Sequence, residues 1–371
     1  MLEFHKKKSK NPSKTEPEKR IKDFQEIYSQ FDKNDSVEQS SRCSQCGIPY
    51  CQIHCPLNNN IPDWLRYIAE GRLEEAYQVS ASTNAFPEVC GRVCPQDRLC
   101  EGNCVVEQAG FGAITIGNLE KYLTEIAWEK GWVKNLSSQN QNKQKVAVIG
   151  SGPAGMAASA YLIQNGYQVD VYEKNDRAGG LMIYGIPNFK LDKKIVERRT
   201  EWLTDSGVVF NLNTEVGKNI SFQDLEKDYD AILIATGVYK ARQLDIDTST
   251  VNNSIPALDF LIESNRTGLG DSPSKNKYLT AKDKHVVVIG GGDTAMDCVR
   301  TAIRQQAKEV TCLYRRNKEN MPGSAREVLN AEQEGIKFNW LSVPSKIISD
   351  SAIATSMTYK VATLGEVDES G

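Results

Sequence analysis

Apolar residues are sparse over the first 40 positions, which are polar and charged, and only Ile21–Phe31 carries a spacing that predicts a helix there. Helical spacing becomes dense further on, at Ile61–Glu70 and Arg72–Ser82, and Leu119, Leu123 and Ile126 form an apolar stripe on another helix. The chain to about Lys134 therefore reads as mainly helical. Asn135–Gln144, rich in Ser, Asn and Gln, is the expected linker. The pattern then changes. Val146–Ile149 is a short unbroken apolar run of the kind a buried parallel strand needs, followed by a glycine turn, a helix from about Ala154 to Asn165 and a second strand, Gln168–Tyr172. The same order returns as His285–Ile289, Gly290–Gly292, a helix to about Gln305 and a strand over Glu309–Tyr314. Asn265–Lys284, polar and containing Gly and Ser, is expected to separate the repeats. The fold class is thus a mainly α region followed by α/β.

Size and charge narrow the function. The 371 residues are enough for two or three domains, and a net charge of −3 gives no positive field for nucleic acid or anionic lipid. Lys6, Lys7, Lys8 and Lys10 form a basic tract, but in a polar tail expected to be disordered and without function. The start lacks a signal-peptide apolar run, and no stretch approaches the roughly 20 apolar residues of a membrane span, so the expected location is the cytoplasm, with no membrane and no nucleic-acid partner. Of ten cysteines, eight lie between Cys43 and Cys104. In a reducing compartment that density points to metal rather than disulfides.

The first glycine turn carries Gly150, Gly152 and Gly155 in G-x-G-x-x-G spacing, with Pro153 and Ala154 at the mouth of the helix. Such a turn lets backbone N–H groups and the helix N-terminus approach a pyrophosphate. Glu173 ends the following strand, where a carboxylate accepts hydrogen bonds from a ribose diol. Gly180 and Leu181 close a second flexible approach, and Ala231–Gly237 reads as a late strand ending in a turn at Thr236 and Gly237. This order resembles that of flavoprotein reductases with two Rossmann-like dinucleotide-binding folds, and it favours FAD at the first fold.

At the second turn, Gly290, Gly291 and Gly292 precede Asp293 and Thr294, and Ala295 stands in the third place of the motif. After the next strand, Arg315 and Arg316 occupy the region that held Glu173 in the first fold. Guanidinium groups bind a 2′-phosphate that a carboxylate there would repel, so NADPH is preferred over NADH. Asp293 and Asp297 receive no proton-transfer role, because hydride transfer between nicotinamide and flavin is the cofactors' own chemistry.

The cysteines fall into two runs, Cys43-x₂-Cys46-x₄-Cys51-x₃-Cys55-Pro and Cys90-x₃-Cys94-Pro-x₄-Cys100-x₃-Cys104. A C-x₂-C start with a C-P ending resembles bacterial ferredoxin runs, in which the last cysteine of a run serves the other cluster. Crossing over in that way gives one site from Cys43, Cys46, Cys51 and Cys104, and another from Cys55, Cys94 and Cys100. The second site then needs a further ligand, which Cys90 or the carboxylate of Glu120 supplies. Structural zinc is the rival reading of the whole set. His54 reads as a neighbour of the cluster, Cys298 and Cys312 as buried core thiols.

The segments RCSQCGIPYCQIHCP, CGRVCPQDRLCEGNC, VAVIGSGPAG, DRAGGLMIYGIPNFKLDK, ILIATG, VIGGGDTAMDC and YRRNKENMPGS together resemble the small (beta) subunit family of bacterial NADPH-dependent glutamate synthases. The resemblance implies a helical domain holding two 4Fe-4S clusters, an FAD domain with an NADPH domain inserted in it, and Glu120 as the non-cysteine ligand. It also implies a large (alpha) subunit partner, where electrons help convert glutamine and 2-oxoglutarate into glutamate. The expected division is a tail and leading helix over 1–40, a cluster domain over 41–134, an FAD domain over 145–264 and an NADPH domain over 284–371. Family members close the FAD domain with a late Gly-Asp segment that this sequence does not reach, so a C-terminally truncated chain with an incomplete FAD domain is expected. Two alternatives stay open: the same module serving another acceptor, such as a pyrimidine reductase or a ferredoxin, and a non-catalytic docking fragment.

Overall fold

The structure is a computed structural model, and it describes residues 1–138, 142–241 and 244–366. It divides into two compact units.

The first unit comprises residues 1–15, 25–183 and 188–238. Its helical part is built on Lys33–Ser41, Ile61–Ala69, Leu73–Ala81, Pro87–Val93 and Ile116–Glu129. Trp64, Leu65, Ile68, Leu119, Leu123 and Ala127 close its core at 1% exposure or less, each large aliphatic contributing about 1.5–3 kcal/mol. Trp64 keeps its indole N–H satisfied by donating to Asn59 Oδ1 at 2.8 Å. The apolar stripes predicted for these helices are the faces that meet in this core. The expected helix over Ile21–Phe31 does not form. Ile27 and Phe31 are buried, but from extended backbone: Thr15 N donates to Ile27 O and Ser29 N to Ser13 O, so their i, i+4 spacing mimics a helix. The expected disordered tail is also corrected. Leu2 N donates to Cys43 O, Gln39 exchanges hydrogen bonds with Lys8 and Lys10, and Lys10 pairs with Asp35 at 2.8 Å.

The same unit carries a parallel sheet of β1 (Lys145–Ile149), β2 (Gln168–Tyr172), β3 (Val209–Asn211) and β4 (Ala231–Ile234) in the order β3-β2-β1-β4. β1 sits at the centre, Val146 opposite both Val169 and Ala231. Helix Pro153–Gln164 makes the crossover from β1 to β2, as a right-handed βαβ unit requires. A buried ion pair ties this α/β part to the helices: Arg199 Nε and Nη2 donate to the two oxygens of Glu88 at 2.6 and 2.8 Å, both side chains 2% exposed or less.

The second unit comprises residues 16–24, 184–187 and 239–371 as far as described. Its parallel sheet runs β5 (His285–Ile289), β6 (Glu309–Leu313), β7 (Lys337–Asn339), and an antiparallel hairpin, β8 (Ser342–Asp350) with β9 (Ile353–Val361), follows. The stretch from Asn265, expected as a linker, begins inside helix Ala257–Gly268, where Asn265 is buried and donates to Tyr184 O and Gly185 O. The short turn Pro17–Arg20 sends Arg20 into this unit, where its Nε meets Glu334 Oε1 at 2.7 Å. Arg300 and Arg304 bind the same carboxylate.

Candidate functional sites: a cysteine cavity and two glycine loops

Arg42 places the first cysteine run. Its fully buried guanidinium donates to the carbonyls of Lys7, Ala113, Phe111 and Gly112 at 2.6–3.0 Å. That clamp holds the residue before Cys43 against the loop after Cys104. Cys43, Cys46, Cys51 and Cys104 consequently border one small cavity, walled by Pro49, Pro62, Leu65, Ile114 and Ile116. Gln45 gives Cys43 two donors, its backbone N at 3.5 Å and Nε2 at 3.3 Å from the sulfur. Burial, then the thiols of Cys43 and Cys104, push Cys51 up to about 12, so a thiolate here needs an adjoining positive centre.

The second set depends on a helix crossing. Helices Pro87–Val93 and Ile116–Glu129 pack so closely that a Cβ on Gly91 would stand 2.6 Å from Gly117 O. The approach brings Glu120 to Asn84, whose Nδ2 donates to Glu120 Oε1 at 3.2 Å and whose Oδ1 faces the Cys90 sulfur at 3.8 Å. The Cys90 thiol in turn bonds Cys94, and burial, with Glu101, Glu120, Cys55 and Cys51 adding to it, pushes the Cys100 thiol well up. Glu120 is 8% exposed, and among the described residues no cation pairs with it. Burial, with Cys90 adding to it, drives its carboxyl well above the ordinary range. A carboxylate in that position fits a metal ligand, and a surface role for Glu120 is excluded.

All ten cysteines are free thiols. Among the described residues no three His, Cys, Asp or Glu side chains come close enough together to chelate a single ion. The first four thiols border a cavity instead of meeting at a point, an arrangement suited to a multi-atom cluster. His54 stacks on Tyr50, and Cys298 and Cys312 are buried at 3% and 0% exposure.

At the first glycine loop, Gly150 has φ +104°, and a Cβ there would lie 2.5 Å from Ala235 O. Only glycine therefore allows the Ala235–Gly237 turn to lie on the loop. Gly152 starts helix Pro153–Gln164 with nothing within 4 Å of where its Cβ would be, which leaves open space for a phosphate group, and Gly180 abuts Gly152. Leu181 opens the four-residue helix Leu181–Tyr184. Glu173, 5% exposed, reaches back to the loop and accepts from Ser151 Oγ at 2.7 Å, Ser151 N at 3.1 Å and Asn175 N at 2.9 Å.

At the second loop, Gly290 N donates to Leu313 O, and Gly292 starts helix Asp293–Arg304, again with open space above it. Thr294 lies in that helix's first turn, and Asp293 Oδ1 accepts from Ser324 N at 3.0 Å. Arg315 and Arg316 follow β6 exposed, and neither makes an ion pair among the described residues. Sequence reasoning missed Arg42, the Gly91 crossing and Asn84, which nothing but three-dimensional proximity connects to the cysteines.

Residues 20–132 match the family described as dihydropyrimidine dehydrogenase domain II, 4Fe-4S cluster, and residues 144–369 match the pyridine nucleotide-disulphide oxidoreductase family. Among curated proteins, the glutamate synthase NADPH small chain of Azospirillum brasilense is 52% identical over 100% of this chain and 77% of its own length. That of Escherichia coli K12 is 45% identical over 94% of this chain and 74% of its own. A putative oxidoreductase of Escherichia coli K12, UacF, is 43% identical over 92% of this chain but 54% of its own length. Among the described residues no helix is long and apolar enough to cross a membrane. With a 4Fe-4S domain joined to a pyridine-nucleotide oxidoreductase domain, and with this identity over nearly every residue, the chain belongs to the glutamate synthase NADPH small-chain family of flavoprotein oxidoreductases.

Proposed function

We propose that the chain takes electrons from NADPH and delivers them singly to a large subunit that forms glutamate from glutamine and 2-oxoglutarate. When bound, FAD accepts a hydride from NADPH, and two 4Fe-4S clusters conduct its electrons onward one at a time. The chain's own residues hold these groups. Gly150–Gly155 and the N-terminus of helix Pro153–Gln164 take the FAD pyrophosphate, with Glu173 turning to the ribose and Gly180, Leu181, Thr236 and Gly237 lining the approach. Gly290–Gly292, Asp293 and Thr294 form the NADPH phosphate cradle, and Arg315 and Arg316 take the 2′-phosphate. Cys43, Cys46, Cys51 and Cys104 hold one cluster. Cys55, Cys94, Cys100 and Glu120 hold the other. Residues 41–134 then act as the cluster domain, 145–264 as the FAD domain and 284–371 as the NADPH domain.

The observation that carries this reading is the meeting of Cys104 with Cys43, Cys46 and Cys51 around one cavity, although the two runs are far apart in sequence. Anaerobic purification followed by an NADPH titration tests it. Flavin bleaching and a reduced-cluster paramagnetic signal are expected, with iron in the preparation. Zinc without iron, or protein that retains no flavin, overturns it. A second reading, the same module feeding a different acceptor, is favoured by the match to UacF. Co-purification with the large subunit separates the two.

A further inference from the structure

Asn84 touches both side chains able to complete the second ligand set, Cys90 and Glu120. It is 4% exposed and lies in the segment that leads into helix Pro87–Val93. Its Oδ1 accepts from Phe86 N at 3.0 Å and stands 3.8 Å from the Cys90 sulfur, while its Nδ2 donates to Glu120 Oε1 at 3.2 Å. A backbone N–H can only donate, so Phe86 fixes which end of the amide is which. The amide oxygen is thereby committed to the Cys90 side and the N–H to the Glu120 side. Among the described residues no other hydrogen bond reaches the Glu120 carboxyl.

Around the first set the polarity is the reverse. Gln45, also a carboxamide, turns its Nε2 to the Cys43 sulfur at 3.3 Å, and its backbone N adds a second donor at 3.5 Å. An N–H directed at an anionic ligand atom supports it, whereas an amide oxygen, with its partial negative charge, opposes one. Cys43 therefore meets the end of an amide that suits a ligating sulfur, and Cys90 meets the end that does not. At Asn84 the supporting end goes to an oxygen, that of Glu120.

Resting on the functional reading above, we propose that Asn84 is the positioning residue that makes Glu120, and not Cys90, the ligand joining Cys55, Cys94 and Cys100. Partners outside the ligand shell act in this way, by hydrogen bonds that orient a ligand and fix its electronic character. One side chain here acts on both candidates, holding the carboxylate by its N–H and facing the competing sulfur with its oxygen.

The test uses anaerobically purified holoprotein, read by iron content and by the paramagnetic signals of the two reduced clusters, without turnover. Asn84→Asp keeps an oxygen for Phe86 N, and Asp serves such a turn as well as Asn does, so a merely structural Asn84 predicts wild-type signals. The same change replaces the donor facing Glu120 by an acceptor. The expected result is an altered signal from one cluster, held about 10- to 100-fold less tightly against a chelator, with the other cluster's signal unchanged. Asn84→Ala adds no buried charge, serves if the Asp variant folds poorly, and is expected to alter the same signal. Cys90→Ala is expected to keep both signals. Wild-type signals in both Asn84 variants, or loss of a cluster in Cys90→Ala while Glu120→Ala also loses it, overturn the selection but leave Glu120 a ligand. Both signals intact in Glu120→Ala, or wild-type protein carrying zinc without iron, overturn the functional reading at this set, and the selection with it.

Discussion

Glu88 and Arg199 show how a single buried pair is made tolerable. Burial alone penalises the charge on Glu88, and the coulombic pull and hydrogen bonds of Arg199 outweigh it, holding the carboxyl below its usual range. Both charges are out of water, and without Arg199 the Glu88 carboxylate keeps only the longer contact to Arg198 at 3.7 Å. Arg199→Ala should therefore destabilise the first unit by about 3–5 kcal/mol, measured by denaturant unfolding, whereas replacing both residues by apolar ones of similar size should cost much less. At the same scale, Arg315 and Arg316 stand ready for a charged group. Replacing both by Ala should raise KM for NADPH and lower the NADPH-to-NADH preference by roughly ten- to a hundredfold, the worth of one or two charge-assisted hydrogen bonds. An unchanged preference would show them to be a solvated strand end.

Elements explain how the sites are assembled. Parallel strands β1 and β5 each end in a glycine turn that opens a helix, so both loops sit at the carboxyl ends of their strands, where open α/β sheets place their ligands. These elements were legible because their signals are local: apolar runs of strand length, glycines at fixed spacing, a carboxylate or two arginines one strand later. The helix expected at Ile21–Phe31 failed for the complementary reason. Its apolar residues are anchors for an extended segment, and periodicity alone does not separate an i, i+4 anchor pair from one turn of a helix. The hairpin β8–β9 also went unread.

For the whole molecule, acid sensitivity concentrates where the N-terminal segment joins the second unit. Burial works against the charge on Glu334, yet Arg304 and Arg300 hold its carboxyl down at about 2, and Arg20 binds the same oxygens. With the folded value depressed below the unfolded one near 4.5, the stabilisation is present above about pH 4.5 and is lost as pH falls toward 2. It amounts to roughly 3 kcal/mol. Denaturant midpoints measured from pH 7 to pH 2 should fall across that window, and Glu334→Gln should start less stable and lose less. A variant curve parallel to wild type would remove Glu334 as the cause.

The amino-acid sequence by itself determined the two nucleotide folds, their order, the preference expected at each and the cysteine runs, because each rests on residues close together in the chain. The resemblance of the cysteine runs to ferredoxin runs also led to the expectation that Cys104 joins the first run, and the four thiols border one cavity. Only the tertiary structure decided that Arg42 clamps the loops on either side of this meeting, that Glu120 is a buried carboxyl group with no cation beside it among the described residues, and that Arg20 belongs to a buried cluster instead of a disordered tail. Burial and the pairing of distant charges depend on which surfaces meet, and no local pattern records that.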